Sequence, residues 1–271
     1  MPDSPTAEVI LTASDLTYTY PSGVQALGGV DLTVRKGEIV SVVGPSGCGK
    51  STLLSLVTRF AQPTSGTLEW SPEITERVRR RGGHLLSMVF QRDTIFPWRT
   101  VRKNVQFGME SLKLDPAEKT RRTESLLALG GLAATADSYP RALSGGMRRR
   151  LALLMALSVH PEVLLLDEPF AALDEPTRVE LTGEVLELAR RAEISVLLVT
   201  HDLAEAISLS DRVVVMSNRP ARIRRVVDVP LGRDRDIIAL RETPEYGELY
   251  RELWHELWAA IEDKATEGTV S

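Results

Sequence analysis

The sequence predicts an α/β fold with a parallel β-sheet, an antiparallel β subdomain at the N-terminus and an inserted α-helical subdomain. A short apolar strand, a glycine-rich loop and a helix follow one another over Glu38–Phe60. Two apolar runs, Val163 to Leu166 and Ser195 to Thr200, flank a helical pattern from Glu175 to Arg191, which is typical of a βαβ unit. Between these regions, the chain from Arg92 to about His160 is mostly helical in periodicity.

The individual elements are predicted from local patterns. β-Branched runs separated by Pro21-Ser22-Gly23 indicate two strands joined by a turn. In chain order, we predict strands at Val9 to Tyr20, Val30 to Val34 and Glu38 to Val43, a helix at Ser51 to Phe60, helix starts near Pro116 and Ser144, and a strand at Val213 to Met216.

Composition limits the class of protein. The 271 residues carry a net charge of −4 with 43% hydrophobic and 26% charged residues, which is a globular composition and excludes collagen, coiled-coil and disordered classes. A mildly acidic chain predicts no nucleic-acid partner. The single cysteine excludes an internal disulfide framework.

The N-terminus has no secretory pattern, and the longest apolar run, Leu151 to Leu157, is far below the ~18 residues that span a bilayer. We therefore expect a cytoplasmic protein that meets a membrane only peripherally.

The loop Gly44–Ser51 matches G-x-x-x-x-G-K-[ST] in the strand–loop–helix setting that the pattern requires. Its glycines let backbone N–H groups turn toward phosphates, and the helix N-terminus favours negative charge. Lys50 would neutralise the β- and γ-phosphates, while the Ser51 hydroxyl would ligate Mg²⁺. The alternative is a tight glycine turn with an exposed lysine.

Two carboxylates follow the predicted buried strand at Val163 to Leu166. Asp167 suits Mg²⁺ coordination through water, and Glu168 suits polarisation of an attacking water. Acidic residues after a strand are also common as caps or solvated turns, so the assignment depends on their occurrence together with Lys50.

Five further motifs resemble those of the ATP-binding-cassette ATPases, and the resemblance extends from about Leu11 to Arg225. They are the signature run Leu143-Ser144-Gly145-Gly146-Met147, the Q-loop glutamine Gln91, the D-loop Ala171-Ala172-Leu173-Asp174, the switch histidine His201, and Tyr20 at the adenine-stacking position. The residues alone leave other interpretations open. Ser144 is also a natural helix N-cap, His201 a plausible polar group at a strand end, and Tyr20 a plausible packing residue in a sheet.

The resemblance implies a P-loop NTPase core of ABC type that binds ATP and Mg²⁺. The implied catalytic residues are Glu168, His201 and Gln91, and the implied metal ligands are Ser51, Gln91 and Asp167. The implied nucleotide-binding residues are Tyr20, Gly44, Pro45, Ser46, Gly47, Cys48, Gly49, Lys50, Ser51 and Thr52. Ser144, Gly145, Gly146 and Asp174 would act in trans on ATP held by the opposing subunit of a homodimer. The domain would cover residues 1–271, with 92–160 as the inserted signature subdomain and 226–271 as a short C-terminal helical extension.

Softer motifs resemble the nitrate, sulfonate and taurine importer branch: Phe96-Pro97-Trp98, Pro169-Phe170 and the run from Asp211 to Pro220. The chain departs from that branch at Arg149, where Gln is usual, and at Met155, where Arg is common. The implied function is the ATP-hydrolysing subunit of an importer on the cytoplasmic face of the membrane. Its partners would be two permease subunits and a periplasmic or extracellular solute-binding protein.

Several alternatives to this function remain. The transported solute would be nitrate, an aliphatic sulfonate or taurine, with a pyrimidine or another organic compound as the alternative. A non-transport ABC-type ATPase usually carries long coiled coils or duplicated cassettes, which this sequence does not show. A regulatory ATP sensor would be expected to lack Glu168 or His201, and both are present.

Four further features carry predictions of their own. Cys48 is predicted to be a reactive thiol, with an inert filler as the alternative. Trp98 is assigned to a permease interface rather than to internal packing. Arg149 is predicted to add positive potential near phosphates bound in trans, with a solvated or carboxylate-paired side chain as the alternative. The apolar face of the C-terminal helix either docks on its own domain or contacts another subunit: Tyr246, Leu249, Tyr250, Leu253, Trp254, Leu257, Trp258 and Ile261.

Overall fold

The computed structural model describes residues 8–91, 94–171, 173–232 and 235–267. The chain divides into two compact units. The first unit contains Met1–Pro72 and Ser195–Ser271, and the second contains Glu73–Ile194.

The strands are β1 (Val9–Thr19), β2 (Gln25–Arg35), β3 (Ile39–Val43), β4 (Ser65–Trp70), β5 (Leu86–Val89), β6 (Val163–Asp167), β7 (Ser195–Val199), β8 (Arg212–Met216) and β9 (Ile223–Asp228). The α-helices are α1 (Lys50–Val57), α2 (Pro72–Arg81), α3 (Val101–Gly108), α4 (Pro116–Leu129), α5 (Gly145–Leu157), α6 (Glu175–Arg191), α7 (Leu203–Leu209), α8 (Ile237–Leu240) and α9 (Pro244–Glu267). Among the described residues, none of these helices combines the length and the apolar character needed to cross a membrane.

The first unit contains two kinds of sheet. β2, β1 and β4 form an antiparallel sheet in that order, with β1 pairing on both sides. β3 lies between β7 and β8 and is parallel to both, while β9 closes this group antiparallel to β8. All five residues of β3 and of β7 are buried, which explains why both strands read as continuous apolar runs.

The C-terminal helix α9 uses its apolar residues in two ways. Tyr246 and Leu253 are buried in a cluster with residues of α7, β8 and β9, with Leu249 and Leu257 packed against its edge. This confirms docking on the chain's own first unit for one half of the predicted face. The other half is exposed, and there Tyr250, Trp254 and Trp258 stack in series at ring-centroid distances of 6.5 and 5.9 Å.

The second unit pairs β5 with β6 in parallel and carries a helical core made by α3, α4 and α5. Each of these helices has a side-chain cap at its N-terminus. Thr100 caps α3, Asp115 caps α4 with Pro116 in its first turn, and Ser144 caps α5. Val105, Leu127 and Leu154 supply buried side chains, one from each helix.

The structure confirms the predicted α/β class with its antiparallel β subdomain and its helices. Helix α6 has the predicted bounds. The predicted helix at Ser51 to Phe60 is shorter, because Thr58 is its C-cap and Arg59 adopts a left-handed φ of 59° that ends the helix. The elements β4, α2, β5, α7, α8 and β9 were not predicted.

Candidate nucleotide-binding and catalytic site

The loop between β3 and α1 has a backbone that requires glycine at two positions. Gly47 and Gly49 have φ values of +74° and +132°, and Gly49 is the N-cap of α1 without a side-chain cap. A Cβ at Gly49 would lie 3.0 Å from Leu27 Cδ2 and 3.1 Å from the Ala26 carbonyl oxygen. The loop therefore follows a path that other residues would obstruct, and its helix start offers backbone N–H groups to an anion.

Lys50 is held inside this loop. Its ammonium donates to the carbonyl oxygens of Gly44 at 2.8 Å and Pro45 at 3.1 Å, and the residue is only 6% exposed. The sequence-based alternative of an exposed lysine is therefore wrong. Ser46, Gly47 and Ser51 are exposed around it. A buried ammonium beside an exposed hydroxyl is a donor set suited to phosphate and to a hydrated divalent cation.

Tyr20 lies beside the helix that follows the loop. Its hydroxyl is 2.7 Å from the hydroxyl of buried Thr52, and its ring meets the Tyr18 ring edge-on at 5.0 Å between centroids. The side chain thus has a packing contact and a polar contact in the first unit. Its role toward a nucleotide base stays a prediction.

The surroundings of Cys48 differ from those that the sequence predicted. The side chain is 1% exposed, and burial raises the pKa of its thiol, although the nearby Lys50 charge and a hydrogen bond from its backbone act in the opposite direction. Desolvation dominates because the sulfur faces inward, where a Cβ on Gly44 would lie 3.1 Å from it. Cys48 is therefore a small packing residue, and the predicted reactive thiolate is wrong.

His201 lies in a turn between β7 and α7 that is held by side-chain hydrogen bonds. Asp202 caps α7 by accepting from the Ala204 N–H at 2.7 Å, and the Asp202 N–H donates to the Thr200 hydroxyl at 3.0 Å. That hydroxyl donates in turn to the buried Glu205 carboxylate at 2.6 Å. These bonds fix the peptide on both sides of the exposed His201. The sequence analysis did not predict that Thr200 and Glu205 support this turn. The order Thr-His-Asp directly before a helix was the signal that could have indicated it.

The second unit brings two predicted catalytic residues together. Gln91, just after β5, donates from Nε2 to Glu168 Oε2 at 3.2 Å, and Glu168 directly follows Asp167 at the end of β6. Glu168 has a φ of +45°, a conformation that a non-glycine residue adopts only when its surroundings impose it. The half-buried Asp167 and Glu168 thus occupy the carboxyl end of a strand, the edge where open α/β sheets bind ligands.

The signature loop and the D-loop line one cavity in the second unit. Its volume is about 390 Å³, and its lining includes Ser144, Gly145, Gly146 and Asp174. The Ser144 hydroxyl accepts from the Met147 N–H at 3.2 Å, so the predicted N-cap is confirmed. Ala172 of the predicted D-loop lies outside the described residues.

The three arginines after this cap have different surroundings. Arg148 donates to the Leu143 carbonyl oxygen at 3.0 Å, and Arg150 pairs with Glu180 and Glu184 at 2.7 Å each. Arg149 is 4% exposed and donates from Nη1 to the Phe90 carbonyl oxygen at 2.8 Å. The alternative of a solvated Arg149 side chain is therefore wrong, while its predicted contribution to the positive potential near phosphates bound in trans stays a prediction.

Trp98 is 72% exposed, so internal packing does not explain it. Its ring contacts Phe96 at 5.6 Å between centroids, and Arg99 lies over the Phe96 and Phe107 rings. The interface assigned to Trp98 stays a prediction.

The residues present fit MgATP. No group of three His, Cys, Asp or Glu side chains within the described ranges is arranged to hold a metal ion. A hydroxyl at the helix start, as Ser51 supplies, suits Mg²⁺, which prefers phosphate oxygens and water as its other ligands. The glycine path at Gly47 and Gly49 supplies the cradle for those phosphates.

Comparison with known proteins finds one family of relatives for this chain. The family model described as ABC transporter matches residues 27–171. The nitrate import ATP-binding proteins NrtC and NrtD of Synechococcus elongatus are 42% and 41% identical, each over 87% of this chain. The match covers 36% of NrtC and 86% of NrtD. The bicarbonate transport ATP-binding protein CmpD of Synechocystis sp. is 37% identical over 92% of this chain and 89% of its own length.

Two solved structures have the same fold. CbiO1 from Clostridium perfringens, part of the ABC transporter complex cbiONQ, matches with a TM-score of 0.72 and 28% identity over 82% of this chain and 89% of its own. The ATP-binding cassette MJ0796, in a dimeric post-hydrolysis state bound to ADP and Pi, matches with a TM-score of 0.66 and 27% identity over 81% of this chain and 99% of its own.

Proposed function

The chain belongs to the ATP-binding-cassette family of transporter ATPases, and from that premise we propose that it hydrolyses ATP to drive the import of a small inorganic anion, nitrate first. The nitrate import names of NrtC and NrtD support this solute. Bicarbonate is the second candidate, because CmpD is nearly as similar. Sulfonates and taurine stay predictions of the sequence alone.

The first unit binds the nucleotide in this proposal. The N–H groups of the loop Gly44–Ser51 hold the phosphates, and Lys50 exchanges its carbonyl partners for phosphate oxygens. Tyr20 stacks on the base, and His201 contacts the γ-phosphate. Ser51, Gln91 and Asp167 would hold Mg²⁺, which would supply positive charge against the phosphates when bound.

Hydrolysis depends on Glu168, and the observation that carries this step is its hydrogen bond with Gln91. A carboxylate at this position accepts a proton from water and orients a lone pair toward phosphorus. The Gln91 amide restricts the carboxylate to one direction, because it occupies one of the two oxygens. Positioning of this kind, together with electrostatic stabilisation, accounts for most of the catalysis of phosphoryl transfer.

The assembly is a homodimer in which Ser144, Gly145, Gly146 and Asp174 act on ATP held by the opposing subunit. Residues 92–160 form the helical signature subdomain and carry Trp98 toward two permease subunits. Residues 226–271 form the C-terminal helical extension. A solute-binding protein delivers the anion, and the chain lies at the cytoplasmic face of the membrane without a nucleic-acid partner.

Glu168→Gln tests the catalytic assignment. The amide keeps the shape of the side chain and loses the charge, so kcat for ATP should fall by about a hundredfold or more while ATP still binds. Glu187→Gln is the matched control, because Glu187 is exposed and pairs with Arg191 on the same helix face. Near-normal turnover in Glu168→Gln would remove Glu168 from this role.

The solute is tested on the assembled transporter. The chain is purified with its permease and binding protein, and the binding protein is titrated with nitrate, bicarbonate and taurine by calorimetry. Tight binding of nitrate and stimulation of ATPase activity by nitrate-loaded binding protein are expected. Tight binding of bicarbonate or taurine with no response to nitrate would exclude nitrate.

A further inference from the structure

Arg149 is buried at a place where its charge does not help its own helix. It lies in the second turn of α5, close to the positive end of the helix dipole, and it is 4% exposed. Removing a guanidinium from water is costly unless it is hydrogen-bonded. The helix already has the Ser144 cap and buried leucines such as Leu151 and Leu154. The contacts of Arg149 beyond the helix therefore matter more than its contribution to helix stability.

One such contact is with the backbone that leads into Gln91. Arg149 Nη1 donates to the Phe90 carbonyl oxygen at 2.8 Å. That oxygen belongs to the same planar peptide group as the Gln91 nitrogen, so fixing the carbonyl also fixes the plane from which Gln91 starts. A charged donor makes a stronger hydrogen bond than a neutral one, which strengthens this restraint.

Gln91 carries the restraint to the catalytic carboxylate. Its amide donates to Glu168 Oε2 at 3.2 Å. The chain of contacts therefore runs from α5, which Ser144 opens, through Arg149 and the Phe90–Gln91 peptide to Glu168. Every member lies in the second unit.

We propose that Arg149 is a positioning residue that connects the signature helix to Gln91 and Glu168. A shift of α5 when Ser144 and Gly145 engage a nucleotide would move the Phe90 carbonyl and thereby the hydrogen bond on Glu168. The inference rests on the proposed function, because it assigns hydrolysis to Glu168 and positioning of that carboxylate to Gln91.

Arg149→Met tests it by removing the donor while keeping an unbranched side chain. We expect kcat for ATP to fall by about tenfold to a hundredfold, because small misplacement of a catalytic group has effects of that size. KM for ATP should stay within about twofold, since the loop Gly44–Ser51 is untouched. Arg149→Lys, which keeps a charged donor, should recover most of the loss. If Arg149→Met does not fold, Arg149→Leu also removes the donor with an apolar side chain that favours a helix, and carries the same test.

The matched control is Arg102→Met in the same unit. Arg102 pairs instead with Glu124 and Asp137. It should keep kcat even if the thermal midpoint falls. A loss of kcat in Arg149→Met that only follows the thermal midpoint, or no recovery with Arg149→Lys, would overturn the positioning role.

A double-mutant cycle with Gln91→Ala tests the role of Arg149 separately from that of Gln91. If Arg149 acts through Gln91, then Arg149→Met should not slow the Gln91→Ala enzyme further. An equal loss in both backgrounds would overturn the role of Arg149 and leave Gln91 in place. Wild-type kcat in Gln91→Ala would instead overturn the proposed role of Gln91, and that of Arg149 with it, while Glu168→Gln still reports on hydrolysis by itself.

Discussion

The two glycine-rich loops of this chain, Gly44–Ser51 in the first unit and Ser144–Met147 in the second, both open a helix but differ in backbone and in surroundings. The first has glycines at φ of +74° and +132° and no side-chain cap. The second has ordinary backbone angles at both glycines and a serine cap. A Cβ at Gly49 would be crowded by Leu27 and Ala26, whereas a Cβ at Gly145 would have no neighbour within 4 Å among the described residues.

This difference shows that glycine can be required in a loop for two different reasons. At Gly49 the requirement comes from the chain's own backbone and neighbours, because both conformation and space exclude a side chain. At Gly145 the second unit would accept alanine, so a requirement for glycine there must come from a molecule that approaches the loop. The proposed contact with a nucleotide in trans is such a requirement.

The largest effect on stability is expected for Gly49→Ala. A side chain at this φ is strained and also crowded, so the free energy of unfolding should fall by about 1–3 kcal/mol or more, and ATP binding should be lost. Gly37→Ala is the control, because Gly37 also has a positive φ of +68° but open space around it. It should lose only the conformational part, about 1 kcal/mol, and keep ATP binding. Urea unfolding measures both variants. Equal losses in the free energy of unfolding would show that crowding at Gly49 is irrelevant.

Gly145→Ala should leave the fold intact, unlike Gly49→Ala. Alanine in a first helical turn reduces the entropy of the unfolded chain, so the free energy of unfolding should stay constant or rise by about 0.4–1 kcal/mol. ATPase activity should nevertheless fall, because the methyl group occupies space that the nucleotide needs. Gly130→Ala provides the opposite control, since its Cβ would lie 2.7 Å from Leu154 Cδ1 and should destabilise the same unit. Unchanged ATPase activity in Gly145→Ala would count against contact in trans.

The smallest effect concerns Cys48, in the loop of the first unit. Burial raises the pKa of the thiol in the folded state, so the unfolded chain ionises first as pH rises. The wild type should therefore lose stability relative to Cys48→Ala above the ordinary thiol pKa of about 8.5, by at most about 1.4 kcal/mol per pH unit. Urea unfolding at pH 7 and pH 10 measures the difference. If the wild type instead gains stability relative to Cys48→Ala at pH 10, the prediction of a reactive thiolate would be supported.

The sequence predicted those parts of the fold whose signal is local. β3, β6 and β7 are buried on both faces and read as apolar runs, and α6 has long periodicity between clear ends. β4 was missed because most of its residues are exposed and its stability comes from pairing with distant β1. α2 was missed because it is strongly charged and buries only Ile74 and Val78.

The same distinction applies to the site. Motif spacing identified Lys50, Gln91 and Glu168, and the structure adds the hydrogen bond between the last two. The burial of Cys48 and Arg149 was not predicted, because burial is decided by residues far away in the chain. Sequence neighbours suggested a thiolate for Cys48 and a nearby phosphate for Arg149, and the structure adds desolvation of the Cys48 thiol and a hydrogen bond from Arg149 to the Phe90 carbonyl oxygen.

The positions of the four tryptophans make intrinsic fluorescence selective for one unit. Trp70, Trp254 and Trp258 belong to the first unit, and the second contains only Trp98, which is already 72% exposed when folded. Emission on unfolding therefore reports mainly the first unit, whereas far-ultraviolet circular dichroism follows the helices of both. Coincident curves from the two signals would show that the two units unfold as one cooperative system.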